Sequence, residues 1–306
     1  MRHIILLTGL IIGFTFGAQV NSLAQKNNTT SRIDSLSLDT LNDLAIRMEN
    51  LGKTMITEAD ENARIIAAHG FVKTMIRALR IQNSYYYPLD SIKNISVLYS
   101  PDNHFRILTW NLALNTEQYR NYGVIQLNPE YLSTIKDTTN LRPYYPLIDK
   151  SEVYKNAMDT TSNNEYWFGA LYYKIIANTY KKNTYYTLLG WDGNTKLSNK
   201  KIVESLYFEN NLPFFGAPIF DIKNTRYPKP LKRLIFEYNN QANMVLRYEA
   251  TKGILVQENV APPRPQDYGH PETYVPDGSY DFYKFNKKVG RWEKQQGMLK
   301  EFDMQR

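Results

Sequence analysis

Between residues 41 and 81 the apolar positions step by three and four. Leu41, Leu44, Met48, Leu51 and Met55 form one series, and Ile65, Ala68, Val72, Met75 and Leu79 form a second. Each series puts its apolar side chains on one stripe of a helix. The spacing predicts two helices folded as a hairpin. The first would open at Asp39 or Thr40, and the second at Thr57 with Asp60 in capping-box fashion. Gly52 weakens the helical pattern and marks the expected join. Tyr85, Tyr86, Tyr87 and Pro88 end the region, because proline biases the residue before it away from helical angles.

After that the pattern changes to short runs rich in β-branched and aromatic residues. Strands are expected at 95–99, 105–112, 123–127, 166–180, 184–190, 202–209, 234–238, 244–248, 254–258, 279–285 and 290–294. Short links make neighbouring strands antiparallel, and 234–258 reads as a three-stranded meander. The segment 129–164 reads as a long irregular loop, with Arg142, Pro143, Tyr144, Tyr145 and Pro146 near its centre. Long ordered loops are often functional. The predicted fold is α+β: an N-terminal helical hairpin followed by a large antiparallel β-sheet, arranged as a sandwich or a partly closed barrel. The expected divisions are a signal peptide at 1–24, a helical region at 25–92 and a mostly antiparallel β domain at 93–306.

The leader reading rests on Arg2 and His3, an apolar stretch at 4–18, and Ser22, Leu23 and Ala24 ahead of Gln25. That is the three-part pattern of a secretory signal. Its apolar core is shorter than the roughly 20 residues that span a bilayer, and no later stretch is long and apolar enough to do so. A retained signal anchor is the alternative. The expectation is an exported protein, periplasmic or secreted, with no transmembrane span in the mature chain.

Composition narrows the chemistry. The sequence has no cysteine, so disulfides, thiol nucleophiles and lipid-modified cysteine are excluded. The net charge of +7 could favour anionic partners. The lysine pairs at 181–182, 200–201 and 287–288 instead fall beside expected turns, where charge keeps loops solvated, and no basic block suggests nucleic acid. His69, His104 and His270 are isolated in the sequence, no zinc motif joins them, and no cofactor is expected. Serine-nucleophile and phosphate-cradling glycine motifs are absent.

The Trp-Asp-Gly-Asn stretch at 191–194 invites a calcium-loop reading, which fails. With Asp192 and Asn194 as the first ligands, Lys196 takes the next ligand position, Leu197 replaces the glycine and Val203 replaces the closing glutamate. Asp-Gly is better read as the centre of a tight hairpin.

Several runs resemble a family of uncharacterised exported bacterial proteins with no assigned activity. They are SPDNHFRILTW at 100–110, WFGALYYK at 167–174, YYTLLGWDGN at 185–194 and FGAPIF at 215–220, with the strands between 233 and 248. The resemblance spans roughly 95–295 and implies an exported, mostly β protein. It brings no catalytic residues.

The remaining signal is aromatic: 24 Tyr, 13 Phe and 4 Trp. Core packing and cross-strand ring pairs account for such a content. The functional alternative is an open face that stacks on sugar rings, and its candidates are Trp110, Trp167, Trp191, Tyr144 and Tyr145. The expected role is binding or scaffolding in the cell envelope, with an envelope protein or a glycan as partner. A carboxylate-pair hydrolase using two of Glu165, Asp192, Glu204 and Glu237 is the other alternative.

Overall fold

Asp34 opens the first helix, four residues or more ahead of the expected start. Its side chain accepts a hydrogen bond from the Ser37 N–H at 2.9 Å and so satisfies one of the free donors of the first turn. The computed structural model describes residues 32–116, 118–222 and 227–295; the expected leader lies outside them. Helix α1 runs Ser35–Thr57 and α2 runs Glu61–Leu79. The break between them falls at 58–60, where Asp60 caps α2 by accepting from the Asn62 and Ala63 amides. Thr57 is the last residue of α1, and Gly52 lies buried inside that helix. Both apolar stripes face one core, which they share with Leu108, Trp110, Leu112 and Val124.

The β region is three sheets stacked on this hairpin. The first contains β1 (Ser96–Tyr99), β2 (Phe105–Ala113), β3 (Tyr119–Leu127) and β4 (Tyr144–Ile148), in that order. Strand β4 was hidden in the expected loop, as was the short helix α3 (Pro129–Thr134). Pro146 is tolerated because β4 is the edge strand and needs no second ladder.

The second sheet has the order β5 (Ser162–Asn163), β9 (Leu212–Phe215), β8 (Ser198–Glu209), β7 (Asn183–Asp192) and β6 (Leu171–Tyr180), and β11 (Arg233–Asn239) also pairs with β8. One edge of β8 is thus shared by β9 and β11. The third sheet runs β10 (Phe220–Asp221), β15 (Arg291–Lys294), β14 (Val275–Asn286), β13 (Ile254–Ala261) and β12 (Leu246–Glu249). The expected meander is therefore corrected: β11 leaves for the second sheet, and β12, β13 and β14 are the consecutive neighbours. The β10–β15 pair is parallel, which departs from the antiparallel rule elsewhere. Pro276, Asp277 and Gly278 sit in a bulge within β14, with Gly278 at φ 80°.

Successive side chains on a strand point to opposite faces, and both faces of the middle sheets are covered. On β2, Phe105 and Ile107 join a core with Leu188, Ile202 and Leu206 of the second sheet, while Leu108 and Trp110 turn to the helices. On the far face of the second sheet, Leu189 and Val203 meet Leu255, Tyr283 and Trp292 of the third. The layers run helices, first sheet, second sheet, third sheet. No helix among the described residues is long and apolar enough to cross a membrane.

Candidate functional site

The chain between 151 and 166 forms a pocket held from behind by a buried ion pair. Glu204 on β8 and Arg233 on β11 are direct register partners, and neither side chain is exposed. Burying two charges is unfavourable unless their hydrogen-bonding groups are met; here most are, while Arg233 Nη2 has only its ion-pair contact with Glu204. The Arg233 Nε donates to the Glu204 carboxylate. The Tyr172 hydroxyl donates to Glu204 Oε2 at 2.6 Å and accepts from Trp167 Nε1 at 2.8 Å. The guanidinium also donates to the Ala157 carbonyl, and it lies 5.0 Å from the Phe168 ring centre and 5.6 Å from that of Tyr154. Burial pushes the Glu204 carboxyl up, while Arg233 and the Tyr172 hydroxyl pull against that rise. Burial, then the neighbouring Glu204 charge, raises the Tyr172 phenol well above its ordinary range.

These contacts place the loop. Lys232 adds two anchors, its N–H to the Met158 carbonyl at 2.9 Å and its Nζ to the Asp159 carbonyl at 3.0 Å. Pairing of β5 with β9 holds the loop's far end, with Asn163 opposite Phe214. The Asn163 side chain caps the next turn by accepting from the Glu165 and Tyr166 amides. The Tyr154 hydroxyl donates to the Tyr166 carbonyl. Burial raises the Tyr154 phenol, with Ser162 and Arg233 opposing.

The resulting pocket encloses about 610 Å³, within the range of small-molecule sites. Its rings are Tyr154, Tyr166 and Phe214, and Tyr166 is 56% exposed. Beside them stand Lys155, Asn156, Thr160, Thr161, Ser162 and Asn163; no carboxylate lines it. Such a set offers flat apolar faces next to amide and hydroxyl groups.

The structure does not gather the five aromatic candidates into one face. Trp110, Trp167 and Tyr145 are core residues. Tyr144 is half-buried and lines a groove at the end of α2. Trp191 is half-buried and packs edge-on to Tyr119, at 5.5 Å between ring centres, in a separate pocket of about 420 Å³. Other rings share pockets: Tyr154, Tyr166 and Phe214 line the 151–166 pocket, and Tyr131, Tyr185, Tyr186, Tyr207 and Phe208 line another of about 480 Å³; none of them is among the five candidates. Of the three rings in the 151–166 pocket, only Tyr154 falls in the long 129–164 segment, and no sequence signal marks Tyr166 or Phe214. Tyr166, expected to open a strand, sits in a 3-10 turn.

The Trp-Asp-Gly-Asn stretch is a corner between β7 and β8, though not a two-residue hairpin. Five residues, 193–197, make the link, and the left-handed residue is Asn194 at φ 45°. Gly193 is needed for close approach, since a Cβ there would lie 2.1 Å from the Tyr119 ring. Asp192 is buried and accepts from Asn194 N–H and Asn121 Nδ2 at 3.1 and 3.3 Å. Lys200 and Lys201 lie within β8; Lys200 donates to Asn194 Oδ1 and Lys201 sits over the Tyr173 ring.

Of the acids named for hydrolysis, Asp192 and Glu237 share one neighbour, Asn194, which donates to both, and the other two stand elsewhere. Glu204 is bound to Arg233, Glu237 accepts from Ser198 and Asn194, and Glu165 is exposed. None of the four described pockets is lined by two carboxylates. The histidines stay apart: His69 is exposed on α2, His104 lies between Asp102 and the Tyr131 ring, and His270 is beside Glu272. Among the described residues no three metal-ligating side chains of the His, Cys, Asp and Glu types come together.

No family model matches the chain, and a search of curated proteins finds no match.

Proposed function

We propose that this is an exported envelope protein that binds carbohydrate, without altering it, in the pocket of Tyr154, Tyr166 and Phe214. One observation carries the reading: three partly open rings share a wall with two asparagines, three hydroxyl side chains and one lysine, and no carboxylate intrudes. The C–H face of a sugar packs on a flat ring while its hydroxyls exchange hydrogen bonds with amides. The apolar leader pattern at 1–24 supports export. An envelope protein as partner stays open as the second kind of occupant, supported by the exposure of Val153 and Tyr166 on the same rim.

The test is calorimetric titration of the full chain with a panel of neutral and acidic oligosaccharides. At least one is expected to bind. Tyr166→Ala should weaken that binding by about tenfold, the effect of losing one stacked ring. Trp191→Ala, in the other pocket, should leave it unchanged. Silence across the panel, or equal affinity in Tyr166→Ala, would rule the pocket out. Export is checked separately: protein recovered outside the cytoplasm should begin at Gln25.

A further inference from the structure

A second cavity, of about 650 Å³, opens between the C-terminal end of α2 and the β3–β4 edge of the first sheet. Its walls are largely apolar, with Leu79 and Leu127 buried and Ile81 and Leu132 partly so. At its mouth stand two exposed arginines. Arg80 is the residue that caps α2, and its Nε donates to the Tyr144 hydroxyl at 3.2 Å. Arg142 lies on the loop leading into β4, two residues before Tyr144. No aspartate or glutamate lines the cavity, and neither guanidinium joins an ion pair among the described residues. Arg32, close by, differs: it is paired with Glu130.

The polar groups deeper in the wall are already engaged. Gln126 Nε2 donates to Ser84 Oγ at 3.0 Å, and its Oε1 accepts from Arg106 Nε at 2.8 Å. The cavity thus presents a largely apolar interior and a doubly cationic rim, with Tyr144 on the wall beside Arg80. Guanidinium forks suit planar or tetrahedral oxyanions, and apolar walls suit a hydrocarbon body. We infer that this groove binds an amphiphile with an apolar body and one anionic head, carboxylate or phosphate, held by Arg80 and Arg142. The site is separate from the carbohydrate pocket and stands or falls independently of it.

The test titrates the full chain with four twelve-carbon probes below their micelle concentrations: dodecanoate, dodecyl phosphate, dodecanol and dodecyltrimethylammonium. One or both anions should bind at least about tenfold tighter than the alcohol or the cation, as expected for a hydrogen bond to a charged group. A preference between the two anions identifies the head group. The double variant Arg80→Gln/Arg142→Gln should lose the preference while keeping the wild-type Tm, since both side chains are exposed. Arg32→Gln, whose arginine is already paired, should keep it. Equal binding of dodecanol and the anions, no binding of either anion, or an unchanged preference in the double variant would each overturn the inference. Loss of the preference in Arg32→Gln to the same degree would overturn it too, by showing a general effect of surface charge.

Discussion

Arg233 and Glu204 face each other across the β8–β11 ladder with no part of either side chain open to solvent. A pair so placed stabilises little relative to well-packed apolar residues, yet it is damaging to break, because the survivor is left charged and buried. Glu204→Gln or Arg233→Met should each lower stability by about 3–5 kcal/mol in urea unfolding. The double variant Glu204→Leu/Arg233→Met should lose less than the two single losses combined. Simple additivity would refute the coupling. Arg233→Met should also weaken carbohydrate binding, since the guanidinium anchors the Ala157 carbonyl beneath the pocket.

Gly216 connects stability to the same pocket. It sits at φ 91°, and a Cβ there would come within 2.5 Å of the Thr160 carbonyl oxygen. Gly216→Ala should therefore cost about 2 kcal/mol or more, from backbone strain and displacement of Thr160. Thr160 lines the pocket, so affinity should fall with stability. Denaturant midpoints and titrations of the same sample check both, and a variant as stable as wild type would contradict the geometry.

Asp192 sets a pH dependence. Burial raises its carboxyl, as does nearby Asp149, against the opposing Asn194 N–H, Asn121 amide and Lys200 charge. The folded state therefore holds this proton more tightly than the unfolded chain, whose aspartates titrate near pH 3.9. The associated stability is fully present below that value and is lost as pH rises through the higher folded one. Asp192→Asn keeps an acceptor for its neighbours and removes the titration. Between about pH 4 and pH 7, Tm should drop less in the variant than in wild type. Parallel Tm curves would dismiss burial as the cause.

The helical hairpin was legible because one buried face imposes a 3.6-residue period, and both stripes point into the core as spaced. Its ends were less so. Asp34, the true cap, precedes the first periodic residue by seven positions, and the real break at 58–60 has no glycine. Strand β4 was illegible because Pro143 before it and Pro146 within it read as loop, and only its place at a sheet edge makes Pro146 acceptable. Pairing of β8 with β11 joins segments some thirty residues apart, and no local pattern encodes it. Ring count alone could not separate core from surface. Trp167 and Tyr172 are buried because each finds a partner for its polar tip, a condition met only in three dimensions. The 151–166 pocket depends on that same pairing through Arg233, so its residues could not be chosen beforehand.

The stack has a direction: moving outward from the helices, each sheet is drawn almost wholly from later sequence than the one it covers. A polypeptide delivered with its N-terminus leading would find every new hairpin a finished apolar platform already waiting for it. Only β11, returning to the second sheet after β10 has been made, interrupts the sequence. Assembly of that kind proceeds like courses of brick, and it keeps unpaired strand edges short-lived during the passage most exposed to aggregation.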